Sequence, residues 1–372
     1  MSVVEKDFFT NSSHHEHSTS QSHITIALDA MGGDNAPESV IHGAAISASQ
    51  LSNVKFNIYG DKRKLAPLIE KYPQLQGRHE FFHTEDAIDN HEKPSNALRR
   101  GRNSSMYLAI TSVKTGDSMA VISSGNTGAL MALSKFQLQT LPGIDRPAIG
   151  AILPTEKGYC VMLDLGANIH CEAENLFEFS IMGNAFARAV LGIEKPSIGL
   201  LNVGAEKNKG NEAVKAALDL LQESGLDLNI YGYVEGDDIA YGTTDVIVTD
   251  GFSGNIALKT AEGIAKFYIK TLKQEFKRDI LGMLAGIFAI PAFKRVKKKM
   301  DPRNYNGAMF LGLNGIVIKS HGSTDEVGFA NAIKVAYKLA RNNINEHIIR
   351  EMVSSGHLPQ DDDFDVEQDI DS

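Results

Sequence analysis

The sequence predicts an α/β protein: a three-layer α/β/α fold built on a mainly parallel sheet. Three observations lead there. Short β-branched or apolar runs alternate with helical patterns along most of the chain. That alternation makes strand–helix–strand units, whose crossovers put helices on both faces of a parallel sheet. A composition of 42% apolar and 22% charged residues over 372 positions is globular and supplies a large core.

In chain order, the predicted strands are Ile24–Leu28, Lys55–Tyr59, Met119–Ile122, Ala148–Leu153, Tyr159–Leu163, Ser197–Val203, Leu228–Tyr233 and Asp245–Val248. Helical patterns fall between them at Pro37–Gln50, Thr127–Gln139, Ala173–Ala189 and Asn211–Glu223; the first begins with Pro37 and Glu38, residues suited to an opening turn. No short-period repeat or linker interrupts residues 23–354, so one domain is expected there. Residues 1–22 are polar, with His14, His15 and His17 among serines and threonines. They lack the apolar stretch of a signal peptide and are expected to be a disordered leader. Residues 355–372 are expected to be a disordered acidic tail. No run approaches the ~20 apolar residues of a spanning helix.

The net charge of −9 argues against a nucleic-acid binder held by phosphate contacts. Residues 361–372 carry seven acids and no base, so the remainder is near −2. Two cysteines, Cys160 and Cys171, are no disulfide framework and read as reduced packing residues of a cytoplasmic protein.

Six loops carry the chemistry. Several lie between a predicted strand and a helix, and in a parallel sheet such loops are expected to share one edge. Helix N-termini there offer free N–H groups and a positive dipole end to phosphate. The first loop, Asp29–Glu38, offers Asp29, Gly32, Gly33 and Asp34. Its glycines admit a ligand close to the backbone or simply make a tight turn, and it matches neither a dinucleotide fingerprint nor a Walker loop. The second, Ser123–Gly128, offers Ser124, Asn126 and Thr127 as an anion nest or a bare helix cap. The third holds Asp164 and Asn168. The fourth, Asn202–Glu212, holds Asn202, Lys207 and Lys209; a lysine in a glycine-flanked loop binds phosphate, stabilises an oxyanion, or is only solvated. The fifth, Thr249–Asn255, holds Asp250, Gly254 and Asn255, the last an oxyanion donor or a helix cap. The sixth, Lys319–Ser323, holds His321, a ligand contact or a histidine bonded to backbone.

Taken jointly and in order, Asp29–Pro37, Ser123–Gly128, Asn202–Glu212, Asp250–Asn255 and Phe310–Gly322 closely resemble the PlsX family of acyl-acyl carrier protein:phosphate acyltransferases. Glu92-Lys93-Pro94, Ser104-Ser105-Met106 and Arg146-Pro147 belong to the same resemblance, which covers roughly residues 23–345. It implies a fold related to isocitrate and isopropylmalate dehydrogenases and to phosphotransacetylases. It also implies a homodimer that turns acyl carrier protein thioester and inorganic phosphate into acyl phosphate. The product would feed phosphatidic acid synthesis, making a downstream glycerol-phosphate acyltransferase a further partner. The family's functional lysine and asparagine carry over to Lys209 and Asn255, with Lys207 as the alternative lysine. No metal or organic cofactor is required: phosphate is already an anion, and a lysine and an amide can stabilise the tetrahedral oxyanion.

The stretch Lys277–Met300 stands apart. Ile280, Leu281, Met283, Leu284, Ile287, Phe288, Ile290 and Phe293 lie between Lys277 and Arg278 on one side and Lys294, Arg295, Lys297, Lys298 and Lys299 on the other. Apolar residues between basic clusters suit a segment lying on an anionic membrane; a core or dimer-interface hairpin is the other reading. The resemblance implies a projecting helical hairpin at about 260–300 and peripheral membrane attachment. Three further readings stand beside the acyl-carrier enzyme: a phosphotransacetylase acting on short acyl-CoA, a decarboxylating dehydrogenase of the related fold, and a noncatalytic membrane scaffold.

Overall fold

A computed structural model describes residues 23–299 and 301–356. Its strands are β1 (Ile24–Asp29), β2 (Val54–Gly60), β3 (His79–His83), β4 (Ala120–Ser123), β5 (Ala148–Pro154), β6 (Tyr159–Leu163), β7 (Ser197–Leu201), β8 (Asn229–Val234), β9 (Val246–Val248), β10 (Ala308–Leu311) and β11 (Ile316–Lys319). They form one mixed sheet in the order β3-β2-β1-β4-β11-β10-β5-β6-β9-β7-β8. Most neighbours are parallel. The exceptions are β11 with β10, β10 with β5, and β5 with β6.

Alternation along the central strands builds a core on each face, because successive side chains point to opposite sides. Ile26 and Leu28 of β1, Ile122 of β4 and Ile318 of β11 pack into one cluster with Phe329 and Phe177. Ala27, Val121 and Val317, each the neighbour of one of these, pack into another with Met106, Leu130 and Leu133. Helices Glu38–Gln50, Ala173–Leu191, Glu212–Glu223, Glu326–Arg341 and Ile344–Ser354 supply the first cluster, and helices Pro94–Arg100, Ser105–Lys114 and Thr127–Leu138 the second. The helix Ala173–Leu191 is buried nearly all round, as its apolar sequence requires, and ends at Gly192 in the left-handed conformation.

The three antiparallel steps correct one expectation. They reverse strand direction between β11 and β6, so the strand-end loops do not share one edge. The loops after β1, β4 and β11 leave the sheet at one end, and those after β6, β7 and β9 at the other. Strands β3, β10 and β11 were not predicted: β3 is a half-exposed edge strand, and β10 and β11 are four residues each, separated by Gly312-Leu313-Asn314-Gly315.

A helical hairpin stands off this body. Helix Gly251–Phe276 has 26 residues, and its buried residues, Gly251 and Gly254, are both in its first turn. It turns into helix Ile280–Lys299, where Phe276 meets Phe293 edge to face at 5.2 Å. Leu281 and Phe288 are 79% and 84% exposed, and Leu284 is also exposed. Lys294 is exposed, while the side chains of Lys297 and Lys298 lie outside the described residues, as do residues 1–22 and 357–372. No helix among the described residues is long and apolar enough to cross a membrane.

Candidate active site

The six loops come together as two groups of three. The first group follows β1, β4 and β11, which are adjacent. Chain order runs outward from β1 to β2 and β3, then returns to β4 on the other side of β1, so this group lies at the sheet's topological switch point. Asp29 ends β1, is 1% exposed, and accepts hydrogen bonds from the Ser105 and Ser123 hydroxyls, both at 2.6 Å. A Cβ on Gly32 would lie 2.8 Å from the Gly125 nitrogen, and one on Gly33, where φ is +101°, would lie 2.7 Å from the Ser124 Cβ. These glycines therefore let two loops press together; the space a side chain would take is filled by protein, not left open for a ligand.

Asn126 is likewise turned inward. Its carbonyl oxygen accepts from the Ala129 N–H at 3.0 Å, capping the helix, while its amide donates to the carbonyls of Asn90 and Glu92, both at 2.9 Å. Thr127 is exposed and without a hydrogen-bond partner among the described residues. Asp34 accepts from the Asn90 amide at 2.9 Å. Nδ1 of His321 accepts from the Ser323 N–H at 3.2 Å, which leaves the neutral ring's proton on Nε2. Burial, with the nearby Lys319, lowers its pKa.

Lys319 is the residue that sequence reasoning passed over in favour of His321. It ends β11, and its ammonium donates to the carbonyls of Ser124, at 3.1 Å, and Ser320. Among the described residues no carboxylate stands within ion-pair distance, and burial pushes its pKa down to about 8. The signal available in the sequence was its place, a cation ending a strand just before a Ser-His-Gly-Ser loop.

The second group follows β6, β9 and β7, again adjacent and parallel. Asp164, fully buried, accepts from the N–H groups of Ile149, Gly166, Ala167 and Asn168 and from the Asn168 side chain, at 2.7–3.1 Å. Burial raises its pKa while these donors pull it down. Asn168 also donates to the Pro147 carbonyl at 2.8 Å. Asp250 caps the long helix through the Ser253 N–H at 2.8 Å and hydroxyl at 2.9 Å. Asn202 closes the fourth loop onto the carbonyls of Gly204 and Lys209, at 3.1 and 3.2 Å. Asp29, Asn126, Asp164, Asn168, Asn202 and Asp250, expected as phosphate contacts, thus have polar atoms committed to bonds within the protein, in their own loops or to neighbouring segments.

What these braces present outward is a cationic and amide surface. Lys209 is exposed, 3.9 Å from Glu206. Lys207 is exposed with no partner among the described residues. Asn255, one turn into the long helix, is exposed, and its amide nitrogen abuts Gly166, where an added Cβ would lie 2.7 Å from it. The same helix links the groups: its Lys259, Glu262 and Lys266 act electrostatically on His321. The free thiols of Cys160 and Cys171 are both raised to about 12, chiefly by burial, which disfavours a thiolate nucleophile.

The architecture is that of an α/β enzyme with the phosphotransacetylase fold. A phosphotransacetylase from Streptococcus pyogenes superposes with a TM-score of 0.58 at 17% identity, covering 86% of this chain and 94% of the other. EutD phosphotransacetylase from Staphylococcus aureus gives 0.55 at 16%, covering 87% and 94%. At these identities the likeness is one of fold. A family model described as "Fatty acid synthesis protein" matches residues 24–347. A phosphate acyltransferase of Paramagnetospirillum magneticum is 53% identical over 88% of this chain and 93% of its own, and one of Rhodospirillum centenum is 55% identical over 88% and 92%. The chain belongs to this family of transferases, the PlsX-type phosphate acyltransferases.

Proposed function

We propose that the protein transfers a long-chain fatty-acyl group from acyl carrier protein to inorganic phosphate. Transfer of an acyl group to phosphate rests on membership of the family; the carrier-borne, long-chain donor is the further step. The observation that carries that step is the exposed apolar surface of the hairpin, where Ile280, Leu281, Ile287 and Phe288 are each more than half exposed. Large exposed apolar patches mark interaction sites, and this one suits an enzyme whose donor and product carry a long apolar chain.

In the reaction a phosphate oxygen attacks the thioester carbonyl carbon. The C–S bond then breaks, the carrier leaves as a thiolate that takes up a proton, and acyl phosphate remains. Holding phosphate beside the carbonyl supplies rate by orientation. Lys209 and Asn255 would donate to the oxyanion of the tetrahedral intermediate, and Lys207 is the alternative cation on the same exposed loop. We place the enzyme in the cytoplasm as a homodimer held reversibly at anionic membrane by the hairpin. There its apolar-tailed product would pass to a glycerol-phosphate acyltransferase.

The test is incubation with palmitoyl-acyl carrier protein and phosphate, trapping product with hydroxylamine. Enzyme-dependent hydroxamate, above the direct reaction of the thioester with hydroxylamine, should require phosphate, persist in EDTA, and form faster than from acetyl-CoA. Faster turnover of acetyl-CoA would instead favour the short-chain phosphotransacetylase reading.

A further inference from the structure

We infer that Lys319 and the Ser124 hydroxyl bind inorganic phosphate, at the loops that follow β1, β4 and β11. The inference rests on the phosphate acyltransfer reading and adds to it a residue, Lys319, on a different sheet end from Lys209 and Asn255.

Two unmet demands meet at these loops. Ser124 is 3% exposed, yet its Oγ has no hydrogen-bond partner among the described residues. Such a buried hydroxyl is destabilising until something fills its bonding capacity. Beside it, the Lys319 ammonium donates to the Ser124 carbonyl at 3.1 Å and to the Ser320 carbonyl. With three N–H groups it keeps one for a ligand. Its burial disfavours the charged form, and an anion alongside would restore it.

The neighbouring carboxylates do not meet either demand. Both Asp29 oxygens accept from serine hydroxyls, and Asp34 at the rim accepts from Asn90. Their fields nonetheless help keep the proton on Lys319. A tetrahedral oxyanion offers oxygens both to the ammonium and to the hydroxyl, and the switch point of an open sheet is where such a ligand sits. The phosphodiester on a carrier's pantetheine arm has the same chemistry, so the experiment must separate the two.

The variants are Lys319→Met, Lys319→Arg and Ser124→Ala. They are compared with wild type for KM of inorganic phosphate, KM of the acyl donor, and the rise in melting temperature on adding inorganic phosphate alone. Losing the charge-assisted bond in Lys319→Met should raise the phosphate KM roughly ten- to a hundredfold and abolish the thermal shift. Ser124→Ala should raise that KM about fivefold, as for a neutral bond, and Lys319→Arg should retain much of the binding. The donor KM should stay unchanged throughout. A folded Lys319→Met with wild-type phosphate KM and thermal shift overturns the inference. So does a rise confined to the donor KM, which would assign the pair to the pantetheine phosphodiester. If Lys319→Met does not fold, a wild-type phosphate KM in Ser124→Ala together with an undiminished thermal shift overturns it equally. The thermal shift needs no turnover: a Lys319-dependent shift in an enzyme that fails to cleave acyl carrier protein would sink the donor assignment and leave the phosphate site standing.

Discussion

At Gly254 the absence of a Cβ decides where a helix can begin. A methyl there would lie 2.0 Å from the Asp164 carbonyl oxygen, so only glycine lets the long helix start against the Asp164 loop with Asn255 beside Gly166. Asn255 and Lys209 remain exposed, which makes them replaceable without unfolding. Lys209→Ala and Asn255→Ala should each lower turnover about a hundred- to a thousandfold, the usual cost of one oxyanion donor, with unchanged melting temperature. Near-wild-type turnover in both would make them solvated surface residues, and damage from Lys207→Ala alone would move the cationic role two positions. Glu178 allows a test of pH dependence. Burial raises its carboxyl from 4.5 to about 7, while it accepts from the Asp145 N–H at 3.0 Å. Between those two values the folded state holds the proton that the unfolded state has lost, so this group's contribution to stability falls as pH rises from 4.5 to 7. Glu178→Gln keeps the acceptor and removes the titration. Its melting temperature should exceed wild type above pH 7, with the gap closing toward pH 5; a gap independent of pH would refute the linkage.

Among the elements, the hairpin is the least explained by packing. Its second helix carries Leu281, Leu284, Ile287 and Phe288 to solvent beside Lys294 and Arg295, although burying such side chains is worth on the order of 1.5–3 kcal/mol each. An anionic membrane would accept both sets, each surface-proximal base adding about 1 kcal/mol. Changing Leu284 and Phe288 to Asp should abolish co-sedimentation with anionic vesicles while turnover of soluble acyl-carrier substrate persists, and high salt should weaken wild-type binding. Undiminished sedimentation would make the hairpin structural, and loss of the native oligomer would make it an interface. The sequence identified this segment by composition and flanking charge. It could not reveal that the preceding helix reaches back to Gly251 as one 26-residue element, because Gly251, Gly254 and Gly263 weaken the helical pattern along it.

Across the whole molecule, three antiparallel steps divide the sheet into two parallel halves of opposite direction, each with three ligand-suited loops. The long helix connects them, starting at the Asp164 loop and passing Lys259, Glu262 and Lys266 near His321. The family match spans residues 24–347, which contain every one of these loops. Deleting residues 1–22 should therefore leave turnover and melting temperature unchanged; a large loss in either would give the leader a role in the enzyme.

The sequence by itself determined the α/β class, eight of the strands, the six loops and the family. These follow from local periodicity and from contiguous motifs, which need no knowledge of distant contacts. Only the tertiary structure decided that the loops form two groups at opposite ends of the sheet. That depends on β10 and β11, two short strands whose pairing with β4 and β5 joins residues far apart in the chain. It also decided which polar residues are committed inward. Asp29 and Asp164 read in sequence as ligands, but Asp29 is enclosed by hydroxyls from other segments and Asp164 mostly by N–H groups of its own loop, whereas Lys319 lies beside Ser124, whose hydroxyl has no partner among the described residues. Whether a polar group faces a ligand depends on what the rest of the fold leaves unsatisfied around it.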